Sequence, residues 1–175
     1  GNHDRMFEWF MQDPIRHDPY KMVELYWLHD RLGGNTTLAS YGVDASGHRR
    51  EKDVQADALA AVPQAHLDFL RDLQLTHISG DLMFVHAGIR PGVAIKHQKE
   101  EDLIWIRQAI HKCADPRPKL IVHGHNPVDA ATHYGNRVNL DSGAGYGKPL
   151  TAAVFEGDKV WTLTSSGRHA LVSQA

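Results

Sequence analysis

Apolar residues recur at helical spacing in the first part of the chain. Met6, Phe7 and Phe10 fall on one face of a helix that is expected over residues 5–11, and Asp13-Pro14 ends it. The same pattern predicts further helices over residues 19–28, 55–59, 63–73 and 100–112, an exposed loop over 44–53, and a segment over 36–43 that is ambiguous between strand and ordered loop.

The second half of the chain alternates short apolar runs with glycine turns, which is the pattern of β-hairpins. Helices followed by hairpins predict a layered α/β fold with a mixed sheet rather than regular βαβ winding. We expect one domain over residues 1–165 and a frayed tail over residues 166–175. The predicted strands cover residues 76–79, 82–86, 119–122, 131–134, 137–141, 151–155 and 159–164.

Composition narrows the class of protein. The 175 residues carry a formal net charge of −2, with 42% hydrophobic and 23% charged residues, as in a globular protein with a sizeable core. The sequence has no basic excess that would favour nucleic acid or an anionic membrane surface, and no apolar run long enough to span a membrane. Cys113 is the single cysteine, which excludes an internal disulfide and favours a reducing compartment, so we expect a cytoplasmic protein.

Potential metal ligands follow three predicted strands at the point where each strand ends. His86 follows one apolar run, His123 and His125 follow the next, and Asp141 follows a third. Ligands of open α/β sheets bind outside the carboxyl ends of the strands, and imidazole is the commonest ligand of transition metals. The sequence therefore predicts a metal site at this edge of the sheet.

Three motifs resemble those of a known family in their order and spacing. Gly1–Asp4 (GNHD), Phe84–Gly88 (FVHAG) and Val122–Val128 (VHGHNPV) resemble the phosphoprotein phosphatase branch of the calcineurin-like metallophosphoesterases. The bacterial members are the closer match, in the group that includes serine/threonine protein phosphatases and diadenosine tetraphosphatases. The resemblance extends from residue 1 to about residue 156, with supporting stretches at 27–42, 87–92, 103–107 and 139–144.

The resemblance implies a layered calcineurin-like fold and a centre of two divalent metal ions that activates water to attack phosphorus. Asn2, His86 and His125 match the ligands of the family's second metal. His3 matches the general acid that protonates the leaving oxygen, and Asp4 would accept a hydrogen bond from His3 and fix its tautomer. Mixed amide, imidazole and carboxylate ligands suit Mn²⁺, Fe or Zn²⁺ better than Ca²⁺ or Mg²⁺.

Three further residues are expected to lie near the phosphoryl group by the same resemblance. Arg107 would bind the phosphoryl oxygens, because a planar and permanently charged guanidinium suits that task, and Arg90 is a second candidate. His125 is interpreted as the metal ligand of the His-Gly-His pair and His123 as a neighbour of the metal or the phosphate. Binding of one metal by both His123 and His125 is the alternative.

The expected substrate is a phosphorylated protein, most directly its phosphoserine or phosphothreonine, or a small phosphoester. Symmetrical hydrolysis of diadenosine tetraphosphate is the alternative within the enzyme class. Trp27-to-Gly42 favours the protein phosphatase branch, because that stretch is more similar to it.

The sequence departs from the family in one respect. The family's first two motifs, Gly-Asp-x-His-Gly and Gly-Asp-x-x-Asp-Arg-Gly, supply the ligands of the first metal, and they do not occur here. We therefore expect an N-terminally truncated fold with at most one metal site partly present and little activity by itself. A catalytically inactive fragment is the remaining alternative, in which Asn2 to Asp4 cap a helix, His86 is a core histidine and Arg107 is a solvated helical residue.

Overall fold

The structure is a computed structural model, and the chain divides into two units, Gly1–Leu73 (unit 1) and Gln74–Ala175 (unit 2). Helices make up unit 1, while unit 2 contains both sheets. No helix within the described part of the chain is long and apolar enough to cross a membrane. The described residues are 1–14, 16, 26–107, 110 and 117–174.

The first helix of unit 1 is α1 (Asn2–Gln12), which confirms the helix predicted over residues 5–11 and begins earlier, at Asn2. Its apolar face is buried. Phe7 stacks on Trp27 with ring centroids 4.6 Å apart, and Phe10 meets the same indole at 5.0 Å. Stacked aromatic rings contribute stability beyond that gained by burying their surface, so these contacts fix α1 against Trp27. The buried apolar residues of α1 are Met6, Phe7, Trp9, Phe10 and Met11.

The segment over residues 36–43, which the sequence left between strand and loop, folds as a helix, α2 (Gly34–Ser40). Gly33 precedes it with a left-handed φ of 73°, and its carbonyl accepts a hydrogen bond from Thr37 N–H at 3.0 Å. Gly42 follows it with a φ of 80°. Glycine adopts both conformations without strain. The two glycine turns therefore fix the ends of a helix, although the threonines within it favour a strand.

The helix predicted over residues 19–28 lies mostly outside the described residues. Its last two positions, Trp27 and Leu28, are described and form a turn instead of a helix, so the predicted end is wrong. A short 3₁₀ helix, Asp30–Leu32, follows this turn. Both Trp27 and Leu28 are buried. The apolar residues that suggested the end of a helix are therefore buried side chains of a turn.

Two further helices follow in unit 1, α3 (Glu51–Ala61) and α4 (Gln64–Asp72). The first contains the helix predicted over 55–59 and begins inside the segment predicted as a loop, and the second confirms the helix predicted over 63–73. Val54 and Ala58 bury one face of α3. The apolar stripe of α4 is less buried than expected, with Phe69 65% exposed.

A mixed sheet of five strands forms the centre of unit 2, in the order β1-β2-β3-β5-β4. The pairs β2–β3 and β3–β5 are parallel, and the outer strands pair antiparallel with their neighbours. Both predicted hairpins, with turns at Gly80-Asp81 and Gly135-Asn136, are confirmed. The strands are β1 (Thr76–Ser79), β2 (Leu82–Val85), β3 (Leu120–His123), β4 (Thr132–His133) and β5 (Arg137–Asn139).

A second sheet of three antiparallel strands comprises β6 (Ala152–Glu156), β7 (Lys159–Thr164) and β8 (Gly167–Ala170). The first two strands confirm the third predicted hairpin. The frayed tail expected over residues 166–175 is wrong in part, because β8 pairs with β7 along its length. All four residues of β8 are exposed and show no apolar alternation, so backbone pairing is what orders them.

The helix predicted over residues 100–112 is interrupted in the structure. Its first part forms α5 (Glu100–Trp105), Ile106 is extended, with φ −57° and ψ 137°, and Ile110 is again helical. Arg107 consequently lies beyond the helix, and residues 108–109 and 111–116, with Cys113, lie outside the described part. The helices and the mixed sheet together confirm the prediction of an α/β chain with a mixed sheet.

Candidate metal centre

The parallel strands β2 and β3 end side by side, which brings two of the predicted ligands together. Gly124 N–H donates to the His86 carbonyl at 2.8 Å and so joins the residues that follow the two strands. Parallel pairing sends both chains out of the same edge of the sheet. His86 and His125 therefore meet at the carboxyl end of the strands, as the sequence predicts.

The two imidazoles face each other. His86 Nε2 lies 3.2 Å from His125 Nδ1, and the rings have centroids 5.0 Å apart and planes inclined by 59°. Two metal–nitrogen bonds of 2.0–2.1 Å with an angle between about 90° and 110° place their nitrogens roughly 2.9–3.4 Å apart. The observed separation fits two ligands of one divalent ion. It equally fits an N–H···N hydrogen bond, in which one ring carries the proton.

The backbone at His125 is strained. Its φ is 66°, the sole positive φ of a non-glycine residue in the described part of the chain. Asn126 N–H donates to the Gly124 carbonyl at 2.8 Å and closes a three-residue γ-turn around His125. Turns of this kind with a positive central φ are rare and strained, and such strain clusters at functional sites. The strain here is associated with the placement of one imidazole beside another.

His123 supports this turn from inside unit 2. It is 3% exposed; its Nε2 accepts a hydrogen bond from Arg137 Nη1 at 3.1 Å, because arginine only donates. The other nitrogen, Nδ1, then carries the proton and donates to the Gly124 carbonyl at 3.0 Å, the acceptor of the γ-turn. Burial lowers the pKa of Arg137, which also lies 3.6 Å above the Tyr134 ring. This arrangement favours a bracing role for His123 over the predicted contact with phosphate.

Arg107 contacts the residue that follows His125. Its Nη1 donates to Asn126 Oδ1 at 3.2 Å, and Asn126 directly follows His125 in the chain. The side chain is exposed, and among the described residues it forms no ion pair. An exposed guanidinium without a carboxylate partner can donate hydrogen bonds to the anionic oxygens of a phosphoryl group.

Arg90, the second candidate for phosphate binding, has a carboxylate partner. Its Nε and Nη2 donate to the two oxygens of Asp102, with Nε 2.9 Å from Oδ2. Asp102 is 5% exposed. Gln98 closes the same loop by accepting from Arg90 N–H and donating to its carbonyl. These contacts favour a role of Arg90 in anchoring the loop after His86 to α5.

We expect the substitution Arg90→Ala to lower the free energy of unfolding by about 1–3 kcal/mol, because it leaves the buried Asp102 carboxylate without its donor. Binding of inorganic phosphate should stay within twofold of the wild type, within the error of such titrations. Urea unfolding and phosphate titration measure the two quantities. A phosphate affinity that falls while stability holds would restore the phosphate-binding interpretation of Arg90.

The residues of the opening motif lie in the first turn of α1, in unit 1. Asn2 is buried, with 1% exposure. His3 is exposed, and its Nδ1 lies 3.1 Å from the Leu32 carbonyl. Asp4 accepts a hydrogen bond from the Gly1 amino group at 2.6 Å, whereas the resemblance predicts one from His3. Neighbouring positions of a helix point in different directions, which accounts for the separation of these two side chains.

Sequence reasoning missed four polar residues that shape this centre: Asn126, Asn139, Asp102 and Arg137. Asn126 carried a signal, because it belongs to the His-Gly-His-Asn motif. The other three resemble ordinary helix or strand residues in the sequence, and burial alone distinguishes them. Asp141, which follows the third predicted strand, accepts a hydrogen bond from Gly143 N–H, 3.0 Å from its Oδ1.

In the described part of the chain, no group of three His, Cys, Asp or Glu residues has the arrangement of a complete metal site. Unit 2 therefore offers the His86–His125 pair, and Asn2 is a further ligand by prediction. Comparison with known proteins adds no assignment, since the chain matches no family model and no curated protein.

Proposed function

We propose that this chain belongs to a metal-dependent phosphoesterase of the calcineurin-like type that hydrolyses phosphate monoesters, foremost phosphoserine and phosphothreonine of proteins. The observation that carries the proposal is the facing pair of imidazoles, His86 and His125, at the carboxyl ends of two parallel strands. A strained γ-turn presents one of the two, as expected for a residue placed for binding.

The proposal gives each residue a separate task. His86 and His125 would hold a divalent ion of Mn, Fe or Zn, and the family resemblance alone adds Asn2 as an amide ligand. When bound, such ions lower the pKa of water and neutralise phosphate charge. Arg107 binds the phosphoryl oxygens through its guanidinium, and His3 gives a proton to the leaving oxygen.

A second candidate function is binding of metal without catalysis. The lack of a three-residue His, Cys, Asp or Glu group in the described residues favours it. The His86–His125 pair accounts for one ion, whereas two-metal hydrolysis needs a second. The two functions differ in turnover and share the binding of metal.

The test is hydrolysis by the protein as its gene encodes it, including any residues before Gly1. We expect Mn²⁺-dependent release of phosphate from a phosphoserine peptide, lost on chelation with EDTA. The peptide should be preferred over diadenosine tetraphosphate by at least about tenfold in kcat/KM, or 1.4 kcal/mol. Preference for the dinucleotide would support the alternative substrate. Binding of Mn²⁺ without hydrolysis of either substrate would support the non-catalytic function.

A further inference from the structure

Asn126 uses both ends of its side chain to connect the γ-turn with the segment that carries Arg107. Its Oδ1 accepts from Arg107 Nη1 at 3.2 Å, and its Nδ2 lies 3.4 Å from the Ile106 carbonyl. A primary amide carries no charge and can accept through its oxygen while it donates through its nitrogen. The contact orients the guanidinium without neutralising it, whereas Asp102 neutralises Arg90.

Asn139 in turn fixes Asn126. It is fully buried on β5, with 0% exposure, and its Nδ2 donates to the Asn126 carbonyl at 2.8 Å. Its Oδ1 accepts from Asp141 N–H at 3.0 Å, so both ends of this amide are also satisfied. A buried polar side chain with complete hydrogen bonding adds rigidity to the groups that it joins. The backbone of Asn126 is thereby fixed to the sheet.

We propose that Asn126 is a positioning residue that holds the Arg107 guanidinium beside His125, so that a phosphoryl group bound there meets a correctly oriented fork of N–H donors. This inference rests on the proposed function and names the phosphate-recognition part of that same site. Arg107 contacts the phosphoryl oxygens, and Asn126 acts through Arg107. A flexible arginine loses conformational entropy when it binds phosphate. A hydrogen bond that already fixes the side chain makes this loss smaller.

Titration of inorganic phosphate in the presence of Mn²⁺ tests the relation between the two residues. Arg107→Ala should weaken phosphate binding by about tenfold or more, as expected for loss of a charge-assisted contact. Asn126→Leu, which keeps the side-chain volume, should weaken it by about threefold to tenfold. The double variant should equal Arg107→Ala alone, because Asn126 has no effect once its arginine is gone. Additive losses would overturn the proposal.

A matched control removes an equal charge elsewhere in unit 2. Arg168 is exposed and pairs with Glu156 on the second sheet. Arg168→Ala should leave the phosphate affinity unchanged. If it weakened phosphate binding as much as Arg107→Ala does, the loss in Arg107→Ala would be explained by net charge alone. Affinity for Mn²⁺ alone should be unchanged in Arg107→Ala and Asn126→Leu, which separates phosphate recognition from metal binding.

Side-chain NMR gives a readout that needs neither metal nor activity. The Arg107 ¹⁵Nε–¹H signal, assigned by its absence in Arg107→Ala, should show a heteronuclear NOE typical of an ordered group. In Asn126→Leu the value should fall to that of a flexible arginine, with the melting temperature little changed. An unchanged NOE would overturn the positioning role even if the proposed function holds. A wild-type protein with an ordered Arg107 that binds no phosphate would instead overturn the proposed function, and the phosphate assignment with it.

Discussion

The substitution His125→Ala is expected to weaken the binding of Mn²⁺ by about a hundredfold or more. Loss of a residue that merely orients a ligand already costs 10–100-fold in affinity, so loss of a ligand should reach at least the upper end of that range. The remaining ring of His86 would lose the partner whose nitrogen lies 3.2 Å away. Isothermal titration with Mn²⁺ measures the change, and His86→Ala should give a similar loss.

The companion substitution His125→Gly separates ligation from strain. Both variants remove the imidazole and should lose Mn²⁺ equally. Alanine keeps the penalty of a left-handed backbone, whereas glycine adopts a φ of 66° freely, so without metal His125→Gly should be more stable than His125→Ala by about 1–2 kcal/mol. Urea unfolding in EDTA gives this difference. Equal stability of the two variants would show that the turn is not strained.

His97 provides the control, because it is an exposed histidine of the same unit. His97→Ala should change neither the affinity for Mn²⁺ nor the thermal shift that Mn²⁺ produces. A ligand that binds the folded state raises the melting temperature by an amount that grows with the ratio of its concentration to its Kd. At a Mn²⁺ concentration near the wild-type Kd the shift should therefore vanish in His125→Ala and persist in His97→Ala. Retention of the wild-type affinity in His125→Ala would exclude the His86–His125 pair as the metal centre.

The strand ends were predictable because short-range patterns determine them. Gly80-Asp81 joins two apolar runs, and a two-residue glycine turn of this kind leaves a single register for the hairpin, in which Ser79 pairs with Leu82. The carboxyl end of β2 is then fixed, and His86 with it. The same argument places His125 after β3, so the facing pair follows from local patterns and the parallel pairing of the two strands.

The side-chain network around the pair was not predictable, because it depends on contacts between distant segments. Arg107 and Asn126 are 19 positions apart, and Arg90 and Asp102 are 12 apart. The sequence assigns both arginines to phosphate by resemblance, and only the placement of Asp102 against Arg90 separates them. Similarly, β8 was not predicted, because pairing with β7 forms this strand and it has no pattern of apolar residues of its own.

Gly34 begins α2 in unit 1, where the helix passes close to the turn that carries Trp27. A Cβ atom on Gly34 would lie 2.3 Å from the Trp27 carbonyl oxygen and 2.9 Å from the indole Cδ2. Contacts below 3.0 Å force atoms to move. Trp27 cannot move easily, because its ring is 4% exposed and stacks on Phe7. The close approach of two backbone segments therefore requires glycine at this position.

Gly34→Ala should consequently lower the free energy of unfolding of unit 1 by about 3 kcal/mol or more, the effect of overpacking against fixed atoms. For a unit of this size that loss corresponds to a fall of roughly 10–25 °C in melting temperature. Gly42→Ala is the matched control, because Gly42 has a φ of 80° and open space around its Cβ position. It should cost about 1–2 kcal/mol from backbone strain alone. Hydrogen exchange of peptides from unit 1, measured for both variants, compares their losses of stability. An equal loss in the two variants would contradict the close contact between Gly34 and Trp27.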